Sequence, residues 1–182
     1  KQWQENGNPR WDLGLMEGKV GIEGMPWSEQ QTPDMVPFQG LCTLWHENGQ
    51  KSAEGKYKDG KLHGLVTWWD DNGQKYAEEN YIDGKFHGLW TRWHYNGQKY
   101  SEGNFKDGKK VGLWIYYNED GQKQEESTYK DGKLMSAVHW KPNGEKCPVT
   151  NVKNGNGVVV RYFDDGTEDI RYTYKDGEYV ED

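Results

Sequence analysis

The chain has 182 residues, and Leu, Ile, Val and Phe together make up only about 15% of it, under the roughly 20% at which composition alone points to disorder. Ten Trp and twelve Tyr supply the missing burial, at roughly 150–250 Å² each, so a thin structure braced by aromatic rings is favoured over a thick aliphatic core. A formal charge of −7 with both signs interspersed disfavours a nucleic-acid groove, and no run approaches the roughly 18 apolar residues of a membrane-spanning helix.

Residues 1–18 already carry the pattern that organises everything after them. Trp3-Gln4-Glu5-Asn6-Gly7 matches Trp45-His46-Glu47-Asn48-Gly49, and Gly7 and Gly18 stand 11 apart, as do Gly49 and Gly60. This segment reads as a degenerate N-terminal repeat. The period then breaks over residues 19–39, because Gly18 to Gly49 spans 31 residues where corresponding glycines elsewhere are 11 to 13 apart. The insertion holds Pro26, Pro33 and Pro37 with Trp27, Met35 and Phe38. It reads either as a partner-binding loop anchored by Trp27 and Phe38, or as a lid on the exposed end of the array, or as disordered chain.

From residue 40 to 133 the repeat is regular. Gly40, Gly64, Gly88 and Gly112 are 24 residues apart, and Gly49, Gly73, Gly97 and Gly121 keep the same step. Asn-Gly and Asp-Gly dipeptides such as Asn72-Gly73 and Asp83-Gly84 alternate with segments of strand length rich in Trp, Tyr, Thr and Val. Such dipeptides between β-prone runs are the strongest short-range hairpin signal. Seven units can be counted along the whole chain. The predicted fold is all-β, an elongated array of about seven antiparallel β-hairpins forming a twisted single-layer sheet.

Period-2 alternation sorts the side chains. First strands repeat Leu41, Thr43, Trp45; Leu65, Thr67, Trp69; and Leu89, Thr91, Trp93, with Leu113, Ile115, Tyr117 following. Second strands repeat small residues, as in Ala53 and Gly55 or Ser101 and Gly103. A three-residue loop at the Asn-Gly turn would set Trp45, Trp69 and Trp93 over those small residues on one side. A two-residue turn would place the two sets on opposite sides. The former is preferred because it gives the small residues a purpose. The other face would then carry Val66, Trp68, Trp90, Arg92, Trp114 and Tyr116, with Tyr76 and Tyr100. It would also carry one acid per unit, Glu54, Glu78, Glu102 and Glu126, with equivalents roughly 9.5 Å apart.

The run Glu54-Gly55-Lys56-Tyr57-Lys58-Asp59-Gly60-Lys61-Leu62-His63-Gly64, with the Asn-Gly-Gln-Lys turns at 48–51, 72–75 and 96–99, resembles the bacterial MORN-repeat variant. The likeness covers residues 40–133 well. It implies an array of hairpins without intrinsic catalysis, with roles in protein or membrane contact, and some bacterial members are similar to antitoxin or immunity partners of toxins.

Residues 134–182 read as degenerate C-terminal repeats or a cap. The run Val158-Val159-Val160 suggests a strand covered on both faces, so this end folds back, receives the insertion, or docks onto another molecule.

The chemistry weighed along the chain is sparse. Cys42 and Cys147 lie about four units apart, roughly 38 Å in an extended array, which predicts two thiols rather than a disulfide. His63 and His87 recur before Gly64 and Gly88 and read as structural donors at turns. There is no zinc spacing, nucleophile elbow or phosphate loop. The acidic turn Asp164-Asp165-Gly166-Thr167-Glu168-Asp169 lacks calcium-loop spacing. Equal copies of one glutamate in successive units suit a solvated, salt-bridged face rather than a single asymmetric catalytic centre.

The expectation is therefore a protein with no catalytic residues, no metal and no cofactor, binding a protein partner and no nucleic acid. Its contact candidates are Trp68, Trp90, Arg92, Trp114, Tyr116, Tyr76 and Tyr100, with Trp27 and Phe38 from the insertion. The partner would be a subunit of an assembly or a toxin. A third alternative is a cell-wall glycan or quaternary ammonium ligand stacked on the aromatic rows. A chain opening at Lys1 rather than Met slightly favours an exported, periplasmic or outer-membrane-associated protein, whereas an antitoxin would be cytoplasmic.

Overall fold

The computed structural model describes residues 12–13, 20–21, 36–163 and 165–181. The N-terminal repeat is thus largely outside the described residues, and so is most of the insertion, Trp27 included. The described backbone is all β, without a helix. Strands β1 (Asp12–Leu13), β4 (Gly40–Trp45), β5 (Lys51–Lys58), β6 (Lys61–Trp69), β7 (Lys75–Ile82), β8 (Lys85–Trp93), β9 (Lys99–Lys106), β10 (Lys109–Tyr117), β11 (Lys123–Lys130) and β12 (Lys133–His139) follow one another in chain order in one open sheet. The two ends of the insertion meet through β2 (Val20–Gly21) and β3 (Val36–Pro37), which pair in parallel. A separate sheet holds β13 (Gly157–Tyr162), β14 (Glu168–Lys175) and β15 (Glu178–Val180). The chain divides into two compact units, Lys1–Gly88 and Leu89–Asp182, with the boundary inside β8.

Both turn types follow from their residues. At the Asp-Gly turns, Asp59, Asp83, Asp107 and Asp131 hold φ near +50°, each followed by a glycine that is also at positive φ. That is the left-handed pair a two-residue hairpin requires, and it explains why Asp-Gly recurs there. At the Asn-Gly turns the amide of His46 donates to the Gln50 carbonyl, while the amide of Gly49 donates back to His46 O. Asn48 Oδ1 accepts from the Gln50 amide, and Asn48 Nδ2 reaches the Asp71 carbonyl of the next hairpin.

The register corrects the expected assignment of faces. Near the turn, Trp45 stands opposite Lys51, as a short loop predicts, but the next pair is Leu44 with Ala53. Ser52 is an extra, bulged residue. The same step recurs where Trp69 faces Lys75 and Trp68 faces Ala77, leaving Tyr76 out, and where Tyr117 faces Lys123 and Tyr116 faces Glu125, leaving Gln124 out. One inserted residue reverses the parity of the whole strand relative to its partner. Trp69 and Ala77 therefore lie on different sides of the sheet. The small residues share their face with Val66, Trp68, Trp90 and Trp114, and the Leu-Thr-Trp series lies on the other. The glutamate column changes sides with it, since Thr43, Glu54, Thr67 and Glu78 are successive cross-strand partners.

The small-residue face is the packed one. In the first unit Val66 leans so close to Gly55 that a Cβ there would meet Val66 Cγ2 at 2.8 Å. Phe38 and Cys42 form a buried cluster with Leu44 and Tyr57. In the second unit Trp114 is fully buried, and a Cβ on Gly103 would fall within its indole. Val159 and Val160 are both buried, so β13 is covered on both sides. Leu134, Ala137, Val152 and Val159 make a core against which Tyr129, Tyr172 and Tyr174 pack. The C-terminal segment thus folds back over β11 and β12, which is the first of the three alternatives.

Candidate interaction surface

The expected contact residues fall into three environments. Trp114 and Phe38 are interior, at 0% and 1% exposure, and cannot anchor a partner in this state. Trp68 and Trp90 are half-buried. Trp68 Nε1 donates to the buried carboxylate of Glu79 at 3.1 Å, which also accepts the Tyr81 hydroxyl at 2.8 Å. Trp90 packs against Trp114 at 5.2 Å and Phe105 at 6.2 Å, with the exposed Arg92 guanidinium 4.9 Å from its ring. Tyr76 and Tyr100 are exposed; Tyr76 is the bulged residue of its hairpin, and Tyr100 holds the equivalent place. The bulge is what releases Tyr76 from the packed face.

Tyr116 belongs to a cluster that sequence reasoning missed. Lys110 Nζ lies 4.2 Å from the Trp114 ring, 5.1 Å from Tyr129 and 5.4 Å from Tyr116, and donates to the Tyr116 hydroxyl at 2.6 Å. Lys110 occupies the place that Leu62, Phe86 and Leu134 hold in their hairpins. Burial lowers its ammonium from the ordinary lysine range. Beside it the buried Glu125 accepts from the Ser127 hydroxyl, with Arg161 at 3.7 Å and His139 at 3.9 Å. Burial raises the Tyr116 and Tyr129 hydroxyls above their ordinary range, with Tyr129 and Glu125 adding to the first and Glu125 to the second. The aromatic cage is closed on the chain's own cation, and so it offers no empty site for a foreign one. The only signal available in sequence was a lysine at an otherwise apolar column.

The opposite face is solvated and repetitive. Leu41, Leu65, Leu89 and Leu113 are each about half exposed, at 48%, 49%, 52% and 50%. Beside them run ion pairs of one kind, Lys51 with Glu54 at 2.5 Å, Lys75 with Glu78 at 2.5 Å, Lys99 with Glu102 at 2.7 Å, and Lys123 with Glu126. The hydrogen bond from Lys51 holds Glu54 below the usual carboxylate range, and the one from Lys99 does the same for Glu102. Thr43 and Tyr117 hydroxyls donate to the same two acids. These glutamates are neutralised in pairs.

Histidine adds a second tie between hairpins. His46 Nε2 is 2.8 Å from the Trp69 carbonyl and His94 Nε2 is 2.9 Å from Tyr117 O, each reaching 23 residues ahead. His63 Nδ1 lies 3.5 Å from Asp83 Oδ1 at the other turn. Cys42 and Cys147 are buried free thiols, with Cys147 Sγ 2.9 Å from the Tyr162 hydroxyl. Among the described residues no group of three or more His, Cys, Asp or Glu could hold a metal ion, and no helix is long and apolar enough to cross a membrane.

No curated protein sequence matches the chain. Among solved structures it is similar to a chain described as "Crystal structure of GtfA/B complex bound to UDP and GlcNAc", at 18% identity and a TM-score of 0.24. The alignment covers 70% of this chain and 26% of that one, and at that score it carries no structural argument. The family comparison is specific, because four consecutive segments, 38–59, 62–83, 86–107 and 110–131, each match the MORN repeat variant. The second, third and fourth segments begin two residues after an Asp-Gly turn, and all four end at the aspartate of the next such turn, so the matches track the hairpins described above. Residues 38–131 of this chain therefore belong to the MORN repeat variant family.

Proposed function

We propose that the chain is a non-enzymatic scaffold that binds a protein partner on the face carrying the leucine row. The observation that carries this reading is the half exposure of Leu41, Leu65, Leu89 and Leu113, one per repeat. A leucine that only served folding would face the packed side, and regularly exposed apolar groups mark interaction surfaces. The neighbouring lysine–glutamate pairs supply a polar rim that excludes water without cost to solubility. Tyr76 and Tyr100 stand exposed as well, and tyrosine is enriched at binding hot spots. Catalysis has no support in the acid column, whose members are equivalent and paired with lysine.

A toxin neutralised by this face and a subunit of a larger envelope assembly are two forms of the same partner. Ligand stacking on aromatic rows has less support, because the densest aromatic cluster surrounds Lys110. The test is affinity capture from the native organism with wild-type protein and with Leu65→Lys and Leu113→Lys. The expected result is a partner recovered by the wild type and by Lys51→Ala, and lost with both leucine variants while their circular dichroism is unchanged. Equal recovery by all four proteins would refute the leucine row as the contact.

A further inference from the structure

β14 reproduces the second strand of a regular hairpin. It follows a turn in which the Phe163 amide donates to Thr167 O and the Gly166 amide to Phe163 O, the pattern of residues 46–50. Asp169 is its bulged residue, because Tyr162 faces Glu168 while Arg161 faces Ile170. Glu168 and Arg171 form the ion pair of the other units with its signs exchanged. Ile170 and Tyr172 therefore hold the columns of Ala53 and Gly55 in β5, and of Glu125 and Ser127 in β11.

What differs is the neighbouring strand. β5 lies between β4 and β6, and its Ala53, Glu54 and Gly55 face Trp68, Thr67 and Val66 of β6. β11 lies between β10 and β12 in the same way, with Glu125, Glu126 and Ser127 facing His139, Val138 and Ala137. On β14 the pairing with β15 ends at Thr173 and Val180. Ile170, Arg171 and Tyr172 thus have β13 on one side and, among the described residues, no strand on the other. Burial marks the same gap. Ala53, Glu125 and Ser127 are buried, whereas Ile170 is 41% exposed and Tyr172 half-buried. The stretch carries no proline or lysine, the residues that commonly guard an open edge. Its bulge does not close it either, since β5 and β11 bulge at Ser52 and Gln124 and are still paired on both sides.

We infer that this open edge takes up one extended, basic segment of a protein partner as an added strand, antiparallel to β14 and in line with β15. Backbone hydrogen bonds would supply the affinity and alternate side chains the specificity. The internal strands indicate what those side chains are. β6 sets Val66 and Trp68 over Gly55 and Ala53; here the columns hold the larger Tyr172 and Ile170, so the incoming residues are of valine or threonine size rather than indoles. Charge fixes the rest. Residues 165–181 hold six acids against Arg171 and Lys175, all exposed. Glu168 is paired with Arg171 and Glu178 with Lys133, while Asp169 and Glu181, at the two ends of the open stretch, have no ion pair among the described residues. Basic residues flanking the apolar pair complement them. None of this rests on the leucine row.

The probe is the peptide Lys-Lys-Val-Thr-Val-Lys-Lys, titrated to about 1 mM into the whole isotopically labelled chain and followed by amide hydrogen exchange. The expected result is saturable binding that slows the outward amides within residues 169–172 about tenfold or more. Ile170→Lys, at an already exposed position, should weaken binding about tenfold. Raising salt from about 20 to about 300 mM should weaken it about threefold or more. The rearranged peptide Lys-Val-Val-Thr-Lys-Lys-Lys keeps the charge and loses the alternation, and should bind about tenfold more weakly. Leu113→Lys should bind the peptide as wild type does, so this inference and the leucine-row reading fail separately. Absence of binding, or equal binding of the rearranged peptide, overturns the inference. So do outward amides already slow in the free protein, which would mean that the chain itself pairs the edge, and protection that rises with protein concentration, which would assign it to a second copy.

Discussion

Replacing Gly103 by Ala pushes a methyl group into the Trp114 indole, where a Cβ would stand well inside 3.0 Å of Cγ, Cδ2 and Cε2. The ring has no space to retreat. Phe105 packs on it at 5.0 Å, Trp90 at 5.2 Å, Tyr116 at 6.3 Å and Tyr129 at 6.4 Å, with Lys110 Nζ at 4.2 Å. Overpacking of a fixed core costs about 1–3 kcal/mol. Gly103 is not at positive φ, so alanine meets no backbone strain there and regains about 0.5–1 kcal/mol from a stiffer unfolded chain. The net expectation is a loss of about 1–2 kcal/mol. Gly55→Ala is the internal comparison, because its Cβ would meet only Val66, a smaller side chain whose methyls can turn aside, and its cost should stay below about 1 kcal/mol. Urea unfolding followed by tryptophan fluorescence reads both. Trp114→Val should also couple favourably with Gly103→Ala, since a valine in that column is what Gly55 already faces. A Gly103→Ala protein as stable as wild type, or a cycle without coupling, would refute the assignment of small residues and indoles to one face.

Three further outcomes follow from the geometry. His94→Ala removes the hydrogen bond to Tyr117 O and should cost about 1 kcal/mol, while His94→Gln, which can reach the same carbonyl, should recover part of it in the same urea assay. Asp131→Val places a β-branched residue at φ +52° and should cost about 1–2 kcal/mol, whereas Asp131→Gly should be near neutral in thermal melts. Burial holds the His139 imidazole below its ordinary value of 6.5, with Glu125 opposing and Arg161 assisting. The folded protein thus keeps it neutral while the unfolded chain takes up a proton, so its contribution is complete above about pH 6.5 and lost as pH falls through the depressed folded value. The urea midpoint should decline from pH 7 to pH 5, and His139→Gln should flatten that decline. A midpoint unchanged over that range would refute it.

Much of the fold is legible because its signals are local. Asp-Gly and Asn-Gly dipeptides, the glycine spacing and the strand-length segments between them define hairpins wherever they occur, and the half-buried glutamate column was readable as a salt-bridged row from its repetition. The identity of the packed face was not. Leu-Thr-Trp recurs more faithfully than Val66, Trp90 and Trp114, and faithful recurrence of apolar residues argues for a core. What recurs most strictly here is the leucine that stays half exposed.

Sequence by itself determined that this chain makes β-hairpins, how long they are and where each one turns, since those features depend on φ preferences and on contacts a few residues apart. Tertiary structure decided which side is buried, through one bulged residue per hairpin at Ser52, Tyr76 and Gln124 that shifts every pair beyond it by one. It also decided that Lys110 sits among Trp114, Tyr116 and Tyr129, and that Val159 closes over Leu134 and Ala137. Parity and long-range docking are properties of pairs of segments, and a single strand read alone contains neither.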